Sequence, residues 1–138
     1  MKTFKLLSGL LTAMILISSC ENINKTYHLH SVENKTDETI FLNYQSVTDT
    51  VMIQEILFPG GFVSFRDFEQ IGDNGQLTNA ELADIFSTFE ITIGEEAVPF
   101  DLDTKEWIYV KGWITSSNDG SARVHDYRLE ITDEDLDQ

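Results

Sequence analysis

The chain has 138 residues, with 24 Asp and Glu against 9 Lys and Arg and a formal charge of −15. Such a surface repels phosphate backbones, so nucleic-acid binding has no electrostatic footprint here. Cys20 is the only cysteine, which excludes an internal disulfide and obliges the domain to fold on its core alone.

The first twenty residues carry the clearest pattern. Lys2 and Lys5 form a short positive head, Leu6 to Ile17 an apolar run broken only by Ser8, Gly9 and Thr12, and no acid precedes Glu21. The run is too short for a permanent span and has the layout of a secretory signal. Ile17-Ser18-Ser19-Cys20 resembles the lipobox of a bacterial lipoprotein signal peptide. An ordinary signal with a stray cysteine, or a short anchor helix, is the competing reading. The resemblance implies cleavage before Cys20, a diacylglycerol thioether on its sulfur and an acylated new amino terminus. Each buried methylene is worth about 0.8 kcal/mol and one chain holds only marginally, so two or three chains make a lasting anchor.

Removal of the signal leaves about 119 residues, the size of one domain, and takes the formal charge from −15 to −17 because Lys2 and Lys5 go with it. The expected organisation is a signal at 1–19, a lipidated terminus and short leash at 20–25, a single β-rich domain at 26–132 and a loose acidic tail at 133–138.

In chain order, residues 26–32 alternate as a strand, with Tyr27 and Leu29 on one face and His28 and His30 on the other. The polar cluster at 33–38 reads as a turn, and 39–44 as a second strand paired back onto the first in a hairpin. A third strand fits 50–57. Pro59-Gly60-Gly61 breaks it, and extended structure resumes over 62–68. Thr78-Asn79-Ala80-Glu81 has the form of a capping box, and Leu82, Ile85, Phe86 and Phe89 then recur at helical spacing, so a helix is expected over 79–88. Strands follow at 89–93 and 106–114, with an edge or connection at 98–100 where Pro99 stands. Asn118-Asp119-Gly120 signals a turn, after which 123–131 pairs back with Tyr127, Leu129 and Ile131 inward.

Seven or eight strands and one helix point to a mainly β chain. The expected form is an antiparallel β-sandwich, immunoglobulin-like or transthyretin-like, with one short inserted helix. The runner-up is a curled sheet packed on the helix. The lipobox, the segment Val32-Glu33-Asn34-Lys35-Thr36-Asp37-Glu38-Thr39-Ile40 and the closing run from Tyr127 to Leu136 together resemble small lipoproteins of the Bacteroidetes. The likeness covers both ends better than the middle, and that family brings no assigned activity with it.

Four constellations are candidates for chemistry. Asn74, Gln76 and Glu81 fit the second half of an EF-hand calcium loop, with Gly75 at the bend, but Gln70 and Gly72 stand where the first carboxylates belong, so the oxygen count falls short of six to eight. A turn followed by a capped helix explains the same residues. His28 and His30 share a strand face, as a zinc or copper site could use, although no second cluster fixes the other ligands. Solvent-facing histidines on an edge hairpin are the plain alternative. Asp49-Thr50-Val51 resembles the O-glycosylation pattern of exported Bacteroidetes proteins, with Thr50 as acceptor. Trp107, Tyr109 and Trp113 fall on one strand face and would make an aromatic platform for a glycan, unless they are core.

No nucleophile elbow and no phosphate-cradling loop is present, so neither catalysis nor a cofactor is expected. The expected role is a non-catalytic binding or assembly domain, held in the cell envelope by lipid on Cys20. An envelope protein is the expected partner, and a calcium- or glycan-binding module is the alternative. The outer membrane is the expected address, with its periplasmic and surface faces both open.

Overall fold

The computed structural model describes residues 23–65, 68–117 and 120–137. Cys20 and the lipobox lie outside the described residues. The described residues form nine strands: β1 (Ile23–Asn34), β2 (Ile40–Ser46), β3 (Ile53–Leu57), β4 (Phe62–Ser64), β5 (Phe68–Ile71), β6 (Phe86–Ile93), β7 (Glu96–Val98), β8 (Ile108–Ser117) and β9 (Gly120–Ile131). Among the described residues there are also two short helices, α1 (Asn79–Ala83) and α2 (Asp133–Leu136), and a 3-10 turn at Leu102–Thr104.

Two sheets face one another, as expected of a β-sandwich with a short helix. The first runs β4-β1-β9-β8, with β5 also on β1, and the second runs β3-β2-β6-β7. Val32, Tyr127, Leu129 and Ile131 from the first sheet meet Ile40, Leu42, Leu57 and Ile91 from the second in one buried cluster. Burial of this apolar area holds the sheets together at roughly 25 cal/mol per Å².

Among the described residues every strand pair is antiparallel except one. β1 and β9 run parallel from Ile23 beside Ser121 to Asn34 beside Ile131, the longest register in the molecule. This overturns the expected β1–β2 hairpin, since β2 pairs with β3 and β6 in the opposite sheet. The polar segment after Asn34 is a crossing between sheets, and Asn34 is its staple. Its amide donates to the carbonyls of Glu38 (2.8 Å) and Leu57 (2.9 Å), and its Oδ1 accepts from the Thr36 amide and hydroxyl. Asn34 is fully buried, so these bonds are what make its burial tolerable.

The helix is shorter than its periodicity predicts. The capping box forms as read, Thr78 accepting from the Glu81 amide while the Glu81 carboxylate reaches back, but α1 ends at Ala83. Phe86 and Phe89 belong to β6. The β-branched residues Thr88, Ile91, Thr92 and Ile93 fit a pleated surface better than a helix, and pairing with β2 decides the matter.

The extended run at 62–68 is likewise divided into β4 and β5, both antiparallel to β1. Between them Phe65 turns into the core, where its ring meets Tyr44 at 4.6 Å and Phe86 at 5.1 Å between centroids. The C-terminal segment is not a loose tail over 133–136. Thr132 and Asp135 cap α2, Leu136 packs on the core, and Asp135 pairs with Lys105.

β8 and β9 form the expected hairpin, with Tyr127, Leu129 and Ile131 inward. A bulge interrupts β8 between Tyr109 and Lys111. The extra residue reverses which side chains face inward beyond it.

Candidate functional site

The side chains with most chemistry lie in the interior, on the inner face of the first sheet. Alternation along β1 points Thr26, His28, His30, Val32 and Asn34 toward the second sheet, so His28 and His30 are 0% and 1% exposed. This corrects the expectation of solvent-facing histidines on an edge hairpin, because β1 is an interior strand. The parallel register brings His125 beside His28 and Tyr127 beside His30, so all three histidines of the chain share one layer. His28 stacks on His125 at 5.4 Å and on Tyr127 at 5.9 Å, and His30 stacks on Tyr127 at 5.8 Å.

Hydrogen bonds orient two of these rings. His125 Nε2 faces the Asn74 carbonyl oxygen at 3.1 Å, which can only accept, so Nε2 donates there, and Nδ1 shares a hydrogen bond with the Tyr109 hydroxyl at 3.2 Å. His28 follows the same pattern, with Nε2 donating to Gln70 Oε1 at 3.0 Å and Nδ1 facing the Tyr127 hydroxyl at 3.4 Å. That hydroxyl also accepts from the Leu77 amide at 2.8 Å. Burial holds the His28 pKa below its ordinary value.

His30 is different. Both its ring nitrogens, and Trp107 Nε1 beside it, are buried with no hydrogen-bond partner among the described residues. Burial, and secondarily the neighbouring His28, depress the His30 pKa from 6.5 to about 4. The ring is therefore neutral at neutral pH and packs as an aromatic residue.

Next to this layer lies a cleft of about 230 Å³ between β5, α1 and the ends of β2 and β6. Val47, Phe68, Leu77 and Ile85 give it apolar walls, and Gln70, Glu81 and Asp84 a polar margin. Gln70 and Phe68, which both touch His28, stand between cleft and histidine layer.

The other sequence candidates are placed as follows. Glu81 borders this cleft, whereas Asn74 and Gln76 line a separate open hollow with Asp73, Arg123 and His125, so the calcium-loop residues do not surround one centre. The loop is pinned to β1 instead: the Thr26 hydroxyl donates to the Gly72 carbonyl and accepts from the Asn74 amide, both at 2.8 Å. The Asn74 side chain donates to Ile71 and Gly72 carbonyls, and the Glu81 carboxylate is taken up by Thr78. Among the described residues no three of His, Cys, Asp and Glu are grouped as a metal would need, and the nitrogens of His28 are already engaged.

Trp107, Tyr109 and Trp113 do not share a face, which corrects the platform. Trp107 is buried, parallel to Phe86 with 6.3 Å between centroids. Tyr109 lies opposite inward Tyr127, while beyond the bulge Trp113 lies opposite Val124 on the outer face. Gly112 makes room for this turn, since a Cβ there would collide with the Tyr109 hydroxyl. Thr50 is exposed, between β2 and β3.

Reasoning from sequence missed the histidine layer and Asn34. A signal for it was present in the run Thr26, His28, His30, Val32, Asn34 at period two, whose ends include residues that strands bury only when fully hydrogen-bonded. No helix among the described residues is long and apolar enough to cross a membrane. No family model, curated protein or solved structure matches the chain.

Proposed function

We propose that this protein is a lipid-anchored lipoprotein of the bacterial cell envelope, whose single β-sandwich binds a partner rather than catalysing a reaction. The observation that carries the reading is the lipobox-like Ile17-Ser18-Ser19-Cys20, which places the one cysteine of the chain three residues before the first strand begins at Ile23. The acidic domain and the lack of any disulfide accord with it. A binding role is supported by the way polar groups are spent. His28 and His125 hold hydrogen bonds to neighbouring groups, Glu81 caps α1, and Asp73 and Asp135 pair with Arg123 and Lys105. Thr50, exposed between two strands, is a proposed O-glycosylation acceptor in the same protein.

Cell fractionation of wild type and Cys20→Ala tests the anchor. Wild type is expected in the detergent-soluble membrane fraction, and Cys20→Ala as an unprocessed precursor without acyl label. An acylated Cys20→Ala chain, or wild type released by salt alone, would overturn the reading.

A further inference from the structure

The turn between β3 and β4 is firmly held, and it keeps apolar side chains in water. Phe58-Pro59-Gly60-Gly61 has the form of a type II turn. Pro59 fixes the first central φ, Gly60 supplies the second at +74°, and the Gly61 amide donates to the Phe58 carbonyl at 2.7 Å. Asn34 pins the turn to β1: its backbone amide donates to the Gly61 carbonyl and its own carbonyl accepts from the Gly60 amide, both at 2.8 Å. Its side chain donates to the Leu57 carbonyl at 2.9 Å. A segment held in this way cannot fold back to hide what it carries.

Phe58 and Phe62, one on each side of the turn, are 65% and 70% exposed, and Ile56 just before them is 51% exposed. These two rings are the most exposed aromatic side chains among the described residues, and neither belongs to the core cluster. The turn needs Pro59 and Gly60, but it needs no phenylalanine beside them. Aromatic rings displayed on a rigid support serve as binding anchors, since little conformational freedom is lost when they are covered. Carboxylates adjoin them. The Asn34 side chain also holds the Glu38 carbonyl, and Asp133 accepts from the Asp37 amide at 3.3 Å, which joins both acidic segments to the base of the turn. Asp37, Glu38, Asp133 and Glu134 are exposed, and none pairs with a cation among the described residues. Lys35 and Arg128 both pair with Glu33, and Lys105 pairs with Asp135.

We infer that the Phe58–Phe62 turn docks into an apolar cleft on a partner protein, and that the rim of this cleft carries lysine or arginine. The inference names the partner surface for the binding role proposed above and rests on that role, though not on the lipid anchor. The rings and Ile56 supply the dry centre of an interface and the carboxylates its polar rim. In such an arrangement aromatic anchors contribute most of the affinity, while rim charges govern the rate of encounter and exclude wrong partners. A cleft without basic groups would leave the carboxylates unpaired at its edge. An anionic lipid surface would accept the rings but bring Asp37, Glu38, Asp133 and Glu134 against headgroups of their own sign. A basic rim around an apolar cleft satisfies both sets of side chains.

The test is photo-cross-linking in permeabilised native cells that make the full chain. The probe p-benzoylphenylalanine replaces Phe58, Phe62 or, as a control, Ile71, which is 90% exposed and pairs with β1 at Lys25, far along the strand from Glu33 opposite Phe62. Positions 58 and 62 are expected to give the same protein adduct and position 71 none, with the linked partner residues in an apolar cleft bordered by lysine or arginine. Asp37→Lys combined with Glu38→Lys should lower the yield roughly fivefold, and added salt should lower it in the unaltered acidic chain. The side chains of both acids are exposed and outside every ion pair of the described residues, so an unchanged thermal melt is expected of the double variant. Adducts to lipid at 58 and 62, equal protein adducts at all three positions, or a yield indifferent to both salt and charge reversal overturn the inference. A protein adduct at 71 alone removes this surface and leaves the binding role standing, whereas no protein adduct at any position counts against the binding role as well.

Discussion

The interior has two halves built from different chemistry. Toward the finish of β1 and β9 it is aliphatic, with Val32, Ile40, Leu57, Leu129 and Ile131 around the Asn34 staple. Toward their start it is aromatic and titratable, with His28, His30, His125 and Tyr127 closing against the loop after β5. Aliphatic burial hardly depends on pH, whereas a neutral buried histidine is stable only while it stays unprotonated. One fold thus combines an acid-indifferent half with an acid-sensitive one.

The largest effects should come from the aliphatic half. Leu129→Ala removes a fully buried side chain from the centre of the cluster and should cost roughly 2–5 kcal/mol, by the same amount at pH 7 and pH 5.5. Urea denaturation at both pH values measures it. A loss that changed steeply with pH would blur the contrast between the halves. Asn34→Ala should cost about 1–3 kcal/mol by leaving the buried Thr36 hydroxyl and the Leu57 carbonyl without that partner.

The histidine half should respond to acid. In the folded chain the His30 pKa lies near 4, below its ordinary 6.5, so the unfolded chain binds the proton more readily. No stability is lost to His30 above about pH 6.5, and the loss grows as pH falls toward about 4, reaching about 3 kcal/mol at the lower limit. His30→Phe keeps an aromatic ring between Tyr127 and Trp107 and should flatten the stability profile in that window. The carboxylates titrate in both proteins, so the difference between the profiles isolates His30. Parallel profiles would show that the buried ring is not acid-sensitive.

How much of this was legible depends on the range of the contact. The β8–β9 hairpin, the Thr78–Glu81 capping box and the inward Tyr127, Leu129 and Ile131 are local patterns, and each forms as read. The parallel β1–β9 pairing joins residues about a hundred apart, and no turn signal announces it. That missing contact is why His28 and His30 were assigned to the wrong side. Tyr27 and Leu29 form a second apolar series on β1, and only the neighbouring strand decides which series becomes core. The aromatic platform failed for a smaller reason, a single bulged residue in β8. Phe86 and Phe89 satisfied a helical period until pairing with β2 made them strand.

Smaller effects sharpen the comparison without deciding it. Thr78→Ala should cost about 1 kcal/mol through the lost cap of α1, which borders the cleft beside the histidine layer. Breaking the Lys105–Asp135 pair should cost about 1–3 kcal/mol, since the two side chains are only 17% and 13% exposed and the charge left behind loses its partner. A hexose-bearing mass on the peptide containing Thr50, absent in Thr50→Ala, would establish modification on the exposed β2–β3 connection, and an unmodified peptide from native cells would dismiss it.

Lipid on Cys20 is the first requirement of the proposed function, so the decisive measurement is the intact mass of the mature protein taken from native membranes. A chain beginning at Cys20 and carrying diacylglycerol with a further acyl group is the expected result. A chain that begins elsewhere, or an unmodified Cys20, would contradict it.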